Sequence, residues 1–252
     1  MKRFDFWNPF VIEDGVLLKY KGKKSHVIVP DTVTVIGANA FRDNNHLVEV
    51  VIPEGVTEIR DNAFRCCRNM RTVQMPAGIT YIGESAFTYC INLRKISLID
   101  VEEIHYAAFE YCENLEEVIV PDRQFLVASL AFAGCYKLAN QDGLILLKTI
   151  LFDYIGKAAH VTVPDGIKTI AGEAFARHDY LETVVCPESV VKIMCKAFYF
   201  CPKLTSVTIP NKMAEVREDA FMHCGKKMTI CAPDGSEAER YVEENSIKFK
   251  EI

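Results

Sequence analysis

Residues 79–90 read Ile-Thr-Tyr-Ile-Gly-Glu-Ser-Ala-Phe-Thr-Tyr-Cys, and the Ala-Phe pair at positions 86 and 87 decides the fold. Such a pair recurs eight times, with its phenylalanine at positions 41, 64, 87, 109, 132, 175, 198 and 221. The steps are 23, 23, 22, 23, 43, 23 and 23 residues. A fixed period in this range predicts a solenoid, in which each repeat forms one coil and packs against its neighbours.

A short strand precedes the Ala-Phe pair in most repeats. In the second coil, Val50 and Ile52 are two residues apart and therefore point to one side of a strand, whereas Glu49 and Val51 point to the other. Pro53 follows and ends the strand, because proline has no N–H group to donate to a neighbouring strand. The pattern predicts a buried side and an outward side for every such strand.

The Ala-Phe pair itself is expected on a turn. In the same coil, Asp61 or Asn62 is predicted to start a helical turn that carries Ala63 and Phe64 into the interior. Phenylalanine would then fill the space between coils, and alanine would stand where the turn presses on its neighbour.

Ten cysteines occur in the 252 residues. Stacked coils place equivalent residues about 4.8 Å apart, which is wider than the separation of about 3.5–4.5 Å that a disulfide prefers between Cβ atoms. We therefore expect buried free thiols and a reducing compartment. Cys186 is expected in the core and Cys231 is expected to be the most exposed thiol. Six cysteines lie three residues after the phenylalanine of a repeat: Cys67, Cys90, Cys112, Cys135, Cys201 and Cys224.

The strand pattern Leu-x-x-Val-x-Ile with its proline, followed by the segment at 79–90, resembles the BspA-like leucine-rich-repeat family. The resemblance covers about residues 26–252. It implies a right-handed leucine-rich-repeat solenoid of the β-rich α/β class, with a parallel β-sheet on the concave face. Short strands and short helical or 3-10 turns would form the convex side. The family includes bacterial and protist surface proteins, often adhesins that bind host proteins.

The 43-residue step, which skips one Ala-Phe pair, shapes the expected organisation. Asp14-Gly15 and Asp142-Gly143 each precede an apolar run, which favours a turn followed by a strand. Each half is thus expected to open with the same hairpin-like coil, either in one continuous array, which we favour, or in two arrays with a hinge. The expected single domain over 1–252 divides into an N-terminal cap and hairpin (1–25), a first array (26–138), an irregular hairpin-like coil (139–163), a second array (164–232) and a C-terminal cap (233–252).

Both ends are expected to carry caps, because the ends of a solenoid expose core. At the C-terminus, Ser236 and Glu239 form a Ser-x-x-Glu capping box for a short helix that Asn245 can end. Ala238, Tyr241 and Val242 would be its apolar side, and Ile247 and Phe249 alternate as a last strand. The N-terminal cap is expected from the aromatic residues Phe4, Phe6, Trp7 and Phe10.

The composition and motifs exclude several classes of function. The net charge of −5 and the absence of a dense basic run argue against nucleic-acid binding, and no stretch approaches the roughly 18 apolar residues of a membrane span. No phosphate-binding loop, His-Glu-x-x-His or Gly-x-Ser-x-Gly motif occurs. A nucleophile pair of Cys224 and His223 is disfavoured because adjacent residues seldom face each other. Metal sites at Cys66-Cys67, or at Cys195 with Cys201, lack paired ligand spacing.

The chain is therefore expected to be a non-enzymatic binding protein without cofactor or metal. A protein partner is expected, with a glycan as an alternative, and the role resembles that of an adhesin. The alternatives are a structural or assembly scaffold inside the cell and, least favoured, an enzyme. Cytoplasmic location is favoured by the thiols and by the lack of a signal peptide, with the cell surface or secretion as the alternative. The predicted binding residues lie on the outward side of the concave strands: Glu49, Val51, Arg71, Thr72, Gln74, Arg94, Lys95, Ser97, Glu116, Glu117, Ile119, Thr183, Val185, Ser206 and Thr208.

Overall fold

The computed structural model describes residues 8–123, 125–225 and 227–252. The chain divides into two compact units, Met1–Leu138 and Ala139–Ile252, which we call unit 1 and unit 2. Each unit is a parallel β-solenoid with little helix, as the repeat predicts. The predicted single domain and its internal boundaries remain predictions.

The strands of unit 1 are short and separated by turns. They are β1 (Phe10–Glu13), β2 (Val16–Tyr20), β3 (His26–Ile28), β4 (Val35–Ile36), β5 (Glu49–Val51), β6 (Glu58–Ile59), β7 (Thr72–Gln74), β8 (Tyr81–Ile82), β9 (Lys95–Ser97), β10 (Glu103–Ile104), β11 (Glu117–Ile119) and β12 (Leu126–Val127), followed by a 3-10 helix at Tyr136–Leu138.

The strands of unit 2 follow the same alternation and end in a helix and a strand. They are β13 (Leu144–Leu147), β14 (Ile150–Tyr154), β15 (His160–Thr162), β16 (Thr169–Ile170), β17 (Thr183–Val185), β18 (Lys192–Ile193), β19 (Ser206–Thr208), β20 (Glu215–Val216), β21 (Thr229–Ala232), α1 (Glu237–Asn245) and β22 (Lys248–Glu251).

Two parallel ladders run along each unit. The first consists mainly of three-residue strands, in the orders β3-β5-β7 and β9-β11 in unit 1 and β15-β17-β19-β21-β22 in unit 2. We call its outward side the strand face. The second, which we call the short ladder, consists mostly of two-residue strands, β4-β6-β8-β10-β12 and β14-β16-β18-β20. The central residue of a strand-face strand points inward, as with Val50 opposite Val73, and both are buried.

The Ala-Phe segments form a third side, the turn side, by a different geometry from the one expected. Asn62 has a φ of +57° and Cys66 one of +59°, which lie in the left-handed region and exclude a right-handed helical turn there. The N–H groups of Asn62, Phe64 and Cys66 each donate to a carbonyl oxygen of the next coil at 2.8 Å, while those of Ala63 and Arg65 close turns within their own coil. The predicted helical turn starting at position 61 or 62 is therefore wrong.

A column of phenylalanine rings fills the interior of each unit. Neighbouring rings stack with centroids 4.8–5.1 Å apart and interplanar angles of 4–10°. All eight side chains are buried, with at most 4% exposed. Rings at these separations attract each other beyond the effect of their burial. Each stacked pair of phenylalanines therefore also stabilises the contact between two neighbouring coils.

An antiparallel hairpin precedes the first parallel coil of each unit. Phe10 lies opposite Tyr20 in the β1–β2 hairpin, and Leu144 lies opposite Tyr154 in the β13–β14 hairpin. A shift of 134 residues, from 10 to 144 and from 20 to 154, superimposes the two registers, including an irregularity after the second pair. Tyr20 and Tyr154 then begin the ring columns, since their centroids lie 5.2 Å and 5.5 Å from the first phenylalanine of each unit.

The two Asp-Gly pairs that look alike in the sequence occupy different places. Asp14 and Gly15 form the turn inside the first hairpin, with φ values of +47° and +77°, whereas Asp142-Gly143 lies ahead of the second hairpin. The equivalent glycines are instead Gly22 and Gly156. A Cβ atom at Gly22 would lie 2.2 Å from Tyr20 Oη, and one at Gly156 would meet the Tyr154 ring, so both tyrosines require a glycine beside them.

The C-terminal cap forms around helix α1. Ser236 Oγ accepts a hydrogen bond from the Glu239 N–H at 3.1 Å, and the Glu239 carboxylate accepts one from the Gly235 N–H. The helix continues through Asn245 and ends at Ser246, which takes the left-handed conformation with a φ of 54°. Sequence therefore placed the end of the helix one residue early. The buried helix residues are the expected Ala238, Tyr241 and Val242.

Of the four residues predicted to form the N-terminal cap, Phe10 lies within the described part of the chain. Phe10 packs against Tyr20 with ring centroids 5.0 Å apart, so it covers the first ring of the column. Phe4, Phe6 and Trp7 lie outside the described residues.

The ring column predicts the energetic effect of removing one phenylalanine ring. We expect Phe87→Ala to lower the free energy of unfolding by about 3–5 kcal/mol, because the ring is fully buried and stacks on rings of both neighbouring coils at 5.1 Å. The control is Phe200→Ala, which truncates a ring that is 51% exposed and should cost less than about 1 kcal/mol. Urea unfolding of the whole chain measures both, and equal losses would contradict the structural role of the column.

Candidate functional site

The strand face of unit 1 is charged. Gln74 Nε2 donates to Glu49 Oε1 at 2.8 Å across β5 and β7, and His26 Nε2 lies 3.7 Å from the other oxygen of the same carboxylate. Lys95 and Glu117 form an ion pair at 2.7 Å across β9 and β11. Cross-strand pairs of this kind contribute modestly to stability when exposed, so this pattern of charges is not needed to hold the fold.

The strand face of unit 2 is uncharged along β17 and β19. His160 Nδ1 and Thr183 Oγ1 lie 2.9 Å apart, and Ser206 Oγ lies 3.6 Å from Cys231 Sγ. Thr208 continues the outward row that includes Val185, which is 42% exposed. The middle strands of the two units therefore present different chemistry from the same backbone: charges on β5 to β11 in unit 1, and hydroxyl and methyl groups on β17 and β19 in unit 2. In unit 2, lysines return on the last strand, β22.

The structure places all fifteen predicted binding residues on or directly beside the strand faces. Glu49, Val51 and Ser97 are half-buried in unit 1, and Thr183, Ser206 and Thr208 are half-buried in unit 2. Whether these residues bind a partner remains a prediction. The exposed members of the set are Arg71, Thr72, Gln74, Arg94, Lys95, Glu116, Glu117, Ile119 and Val185.

The prediction that Cys231 is the most exposed thiol is wrong. Cys231 is 8% exposed, because β22 pairs with β21 and places Lys250 opposite it. The exposed cysteine is Cys195, on the segment after β18. Partial burial, followed by the Asp219 carboxylate, raises the pKa of the Cys195 thiol. Cys186 is buried in the core, as predicted.

The cysteine column is tied to the backbone of the preceding coil. All ten cysteines are free thiols. In the column, each Sγ donates to the carbonyl oxygen of a phenylalanine 25 or 26 residues earlier, as Cys67 does to Phe41 at 3.1 Å and Cys112 does to Phe87 at 3.2 Å. Burial raises the pKa of the Cys67 thiol to about 12 and also raises the pKa of Cys90 and Cys112, so these three thiols are held in their unreactive protonated form. Cys224 differs, because its hydrogen bond with Cys201 lowers its pKa. The cytoplasmic location inferred partly from these thiols stays a prediction.

His223 and Cys224, the residues considered for catalysis, line the same open cleft but make separate contacts. The His223 ring packs edge-on against Tyr199 with centroids 5.5 Å apart, and the Cys224 thiol donates to the Phe198 carbonyl oxygen at 3.0 Å. Cys224 lines an open cleft of about 400 Å³ between the last coil and α1, where the Tyr241 hydroxyl donates to the Glu218 carbonyl oxygen. The side chains that line the cleft are thus largely engaged in structural contacts.

The described residues contain neither a cluster of metal ligands nor a membrane-spanning helix. Over residues 8–123, 125–225 and 227–252, no three His, Cys, Asp or Glu side chains are grouped as a metal ion would require. Within the same part of the chain, no helix has the length and apolar character needed to cross a bilayer.

Sequence reasoning missed an exposed aromatic and cationic cluster on the turn side of unit 2. The guanidinium of Arg177 and the ammonium of Lys196 lie 5.9 Å and 6.0 Å from the centre of the Tyr199 ring. Phe200 is 51% exposed beside it, at a φ of +57° that a bulky residue seldom adopts. In the repeat, Lys196 falls where Asn62 falls in unit 1, Tyr199 where Arg65 falls, and Arg177 and Phe200 where Cys66 falls.

The geometry defines a leucine-rich-repeat type of solenoid, with one coil per repeat and parallel ladders. The sequence matches the BspA type leucine rich repeat region in six copies, over residues 16–139 and 142–250. The chain therefore belongs to the BspA-type leucine-rich-repeat family, as its repeat unit predicted. No curated protein matches the chain.

Three solved structures are similar to the chain, and the first of them supports the fold. A leucine-rich-repeat protein from Eubacterium ventriosum is 18% identical with a TM-score of 0.56, over 86% of this chain and 65% of that one. A leucine-rich cell surface protein from Faecalibacterium prausnitzii is 20% identical with a TM-score of 0.41, over 96% and 92% of the chains. The pneumococcal vaccine antigen PcpA is 15% identical with a TM-score of 0.43, over 96% and 95%. At these identities the likeness concerns the fold alone.

The thiol environments predict an order of alkylation. At about pH 8, iodoacetamide should label Cys195 first and the buried column thiols at least about tenfold more slowly, because those must be uncovered before they react. Labelling of Cys195 should keep rising above about pH 9, since its raised pKa leaves less thiolate at lower pH than an ordinary thiol has.

Peptide mapping by mass spectrometry measures this order. The matched variant Cys195→Ser should lose the fast phase and keep the slow one. Fast labelling of Cys90 or Cys112 in the native protein would contradict the buried column.

Proposed function

We propose that this protein is a non-enzymatic binding protein that recognises a protein partner through its strand face. Support comes from membership of the BspA-type family and from the regularity of the coils, which assigns most residues to architecture. An adhesin-like role, and the fifteen predicted residues as the contact set, belong to the same proposal.

The observation that carries the proposal is the contrast between the two sides of one strand. The inward residues of β5, β7, β9, β17 and β19 are all Val or Ile and buried. The outward residues of the same strands include an acid, a base, an amide, hydroxyl groups and apolar groups. Because packing does not dictate the outward residues, they are free to be matched to a partner, as on the stacked surfaces of other solenoids.

Arginine substitutions on the strand face test the proposal. Ile119→Arg in unit 1 and Val185→Arg in unit 2 replace side chains that are 36% and 42% exposed, so each should fold while introducing a bulky charge in the outward row. Leu126→Arg, on the short ladder and 69% exposed, is the control for the same chemical change elsewhere. Affinity capture from cell extracts, quantified by mass spectrometry, compares the three variants with the wild-type protein.

We expect at least one captured protein to be retained by Leu126→Arg and to bind at least about tenfold more weakly to one face variant, since a misplaced charge in a desolvated contact costs several kcal/mol. Circular dichroism and thermal melts of all variants show that folding is intact. If every captured protein bound both face variants as well as the wild type, the strand face would not be the binding surface.

A further inference from the structure

One edge of unit 1 carries a cluster of basic side chains, which come from three of its four segments. It consists of four segments at equivalent places in successive coils, residues 22–25, 45–48, 68–71 and 91–94, and we call it the basic edge. These segments contain Lys23, Lys24, Arg68, Arg71 and Arg94 and no acidic residue, in a chain whose net charge is −5. All five cationic side chains are exposed.

Backbone hydrogen bonds hold the four segments side by side. The Val48 N–H donates to Ser25 O at 2.7 Å, the Arg71 N–H to Val48 O at 2.8 Å, and the Arg94 N–H to Arg71 O at 3.4 Å. Asn92 Nδ2 also donates to Arg68 O at 2.8 Å. Neighbouring strands in such a ladder lie about 4.8 Å apart, so Arg71 and Arg94, which occupy equivalent positions, are neighbours. Lys23, Lys24 and Arg68 lie at other positions of their segments.

Within the described part of the chain, the arginines of the basic edge have no carboxylate partner, unlike five other arginines. Carboxylates within 4 Å accompany Arg42, Arg60, Arg123, Arg217 and Arg240. Among the described residues, Arg68, Arg71 and Arg94 form no ion pair, and Arg68 instead lies over the Tyr89 ring at 5.6 Å. The guanidinium groups of Arg71 and Arg94 are thus available to an external anion.

The architecture does not require this charge. A shift of 134 residues brings Lys23 onto Lys157, Arg68 onto Pro202 and Arg71 onto Thr205 in unit 2. The equivalent segments of unit 2 also carry acidic residues, Asp179 and Glu182. The unit 2 segments do contain Lys157, Lys203, Lys226 and Lys227, but they have no arginine, so the same coils form without the arginines and without an acid-free basic surface.

We propose that the basic edge binds a sulfated glycan. This surface and ligand class are distinct from the protein-binding strand face, although Arg71 and Arg94 border both. Arginine pairs with oxyanions through its planar fork of N–H donors, and a cluster of exposed cations spread over several coils suits a polymer that carries many anions. Five cations in four coils call for a dense charge on the polymer, which sulfation supplies better than one carboxylate for every two sugar rings.

The apolar side chains of the basic edge argue against two other polyanions. Leu47, Met70 and Leu93 are fully buried, so the edge offers no apolar pocket for the anchors that dominate protein interfaces. The nearest ring, Tyr89, is covered by Arg68, which leaves no stacking platform of the kind that single-stranded nucleic acids use. A stiff chain of sugar rings also loses less conformational freedom on binding than a flexible acidic peptide does.

Binding of immobilised heparin to the whole chain tests the proposal. Biolayer interferometry at about 0.15 M NaCl, where charges are screened beyond about 8 Å, limits attraction that depends only on net charge. The edge variant Lys23→Gln, Lys24→Gln, Arg68→Gln leaves every predicted strand-face residue intact. The matched control Lys157→Gln, Lys203→Gln, Lys227→Gln removes the same charge from equivalent or neighbouring positions of unit 2. Circular dichroism confirms folding of both.

We expect wild type and control to bind heparin and the edge variant to bind about tenfold or more weakly, because three of the five charge contacts are gone. Arg71→Gln with Arg94→Gln should weaken binding in the same way. Absence of heparin binding, or equal loss in the edge variant and the control, would overturn the proposal. Tighter edge-dependent binding of hyaluronan, a ten-residue polyglutamate peptide or single-stranded DNA would also overturn it.

The failure of this proposal and the failure of the proposed function are separable. Ile119→Arg and Val185→Arg should leave heparin binding unchanged, since neither lies in the basic edge. A chain that captures its protein partner but not heparin retains the proposed function and loses only this inference.

Discussion

Hydrogen bonding between coils is the constraint on which the rest of the structure depends. Each coil of an array satisfies much of its backbone through its neighbours, so equivalent residues must recur at nearly constant spacing. The 22-residue step is tolerated because of where it falls. Glu103 begins β10 eight residues after the start of β9, whereas the corresponding distance from β7 to β8 is nine. The missing residue lies in the connection between the ladders, so both ladders keep their register.

This constraint separates architecture from recognition within single strands. Inward positions must fill a fixed space, which is why Val50, Val73 and Ile96 are so similar. Outward positions are not under this constraint. Strands β9 and β11 of unit 1 place a charged pair there, whereas β17 of unit 2 places a hydroxyl group there. The basic edge extends the same freedom beyond the strands, because the segments between turn and strand can change charge without disturbing a ladder.

The sequence was sufficient to predict features that repeat. The ring column, the aliphatic strand cores and the free thiols follow from the 23-residue period and the spacing of equivalent side chains. Features that occur once were harder. The burial of Cys231 depends on β22, a strand supplied by the cap rather than by a repeat. The left-handed backbone at Asn62 and Cys66 is set by bonds to the next coil, which residue preference alone does not reveal.

The candidate site also has features that the sequence predicted and features that it did not. Alternation along the strands predicted which side chains face outward, because that depends only on the pleat. It could not show that Lys95 pairs with Glu117 while Arg94 forms no ion pair, since that depends on side-chain conformation. The cluster of Arg177, Lys196, Tyr199 and Phe200 was overlooked because turn positions have no simple periodic pattern to separate exposed from buried rings.

The thiol column has a consequence for how the solenoid comes apart. Each thiol sits inside its own coil and bonds to the phenylalanine carbonyl of the coil before it, so it becomes accessible only when that junction opens. Cys67, Cys90, Cys112 and Cys135 are therefore four internal reporters placed one coil apart along unit 1. The order in which these four thiols become accessible therefore shows whether unfolding starts at an end of the unit and travels inward or begins in the middle.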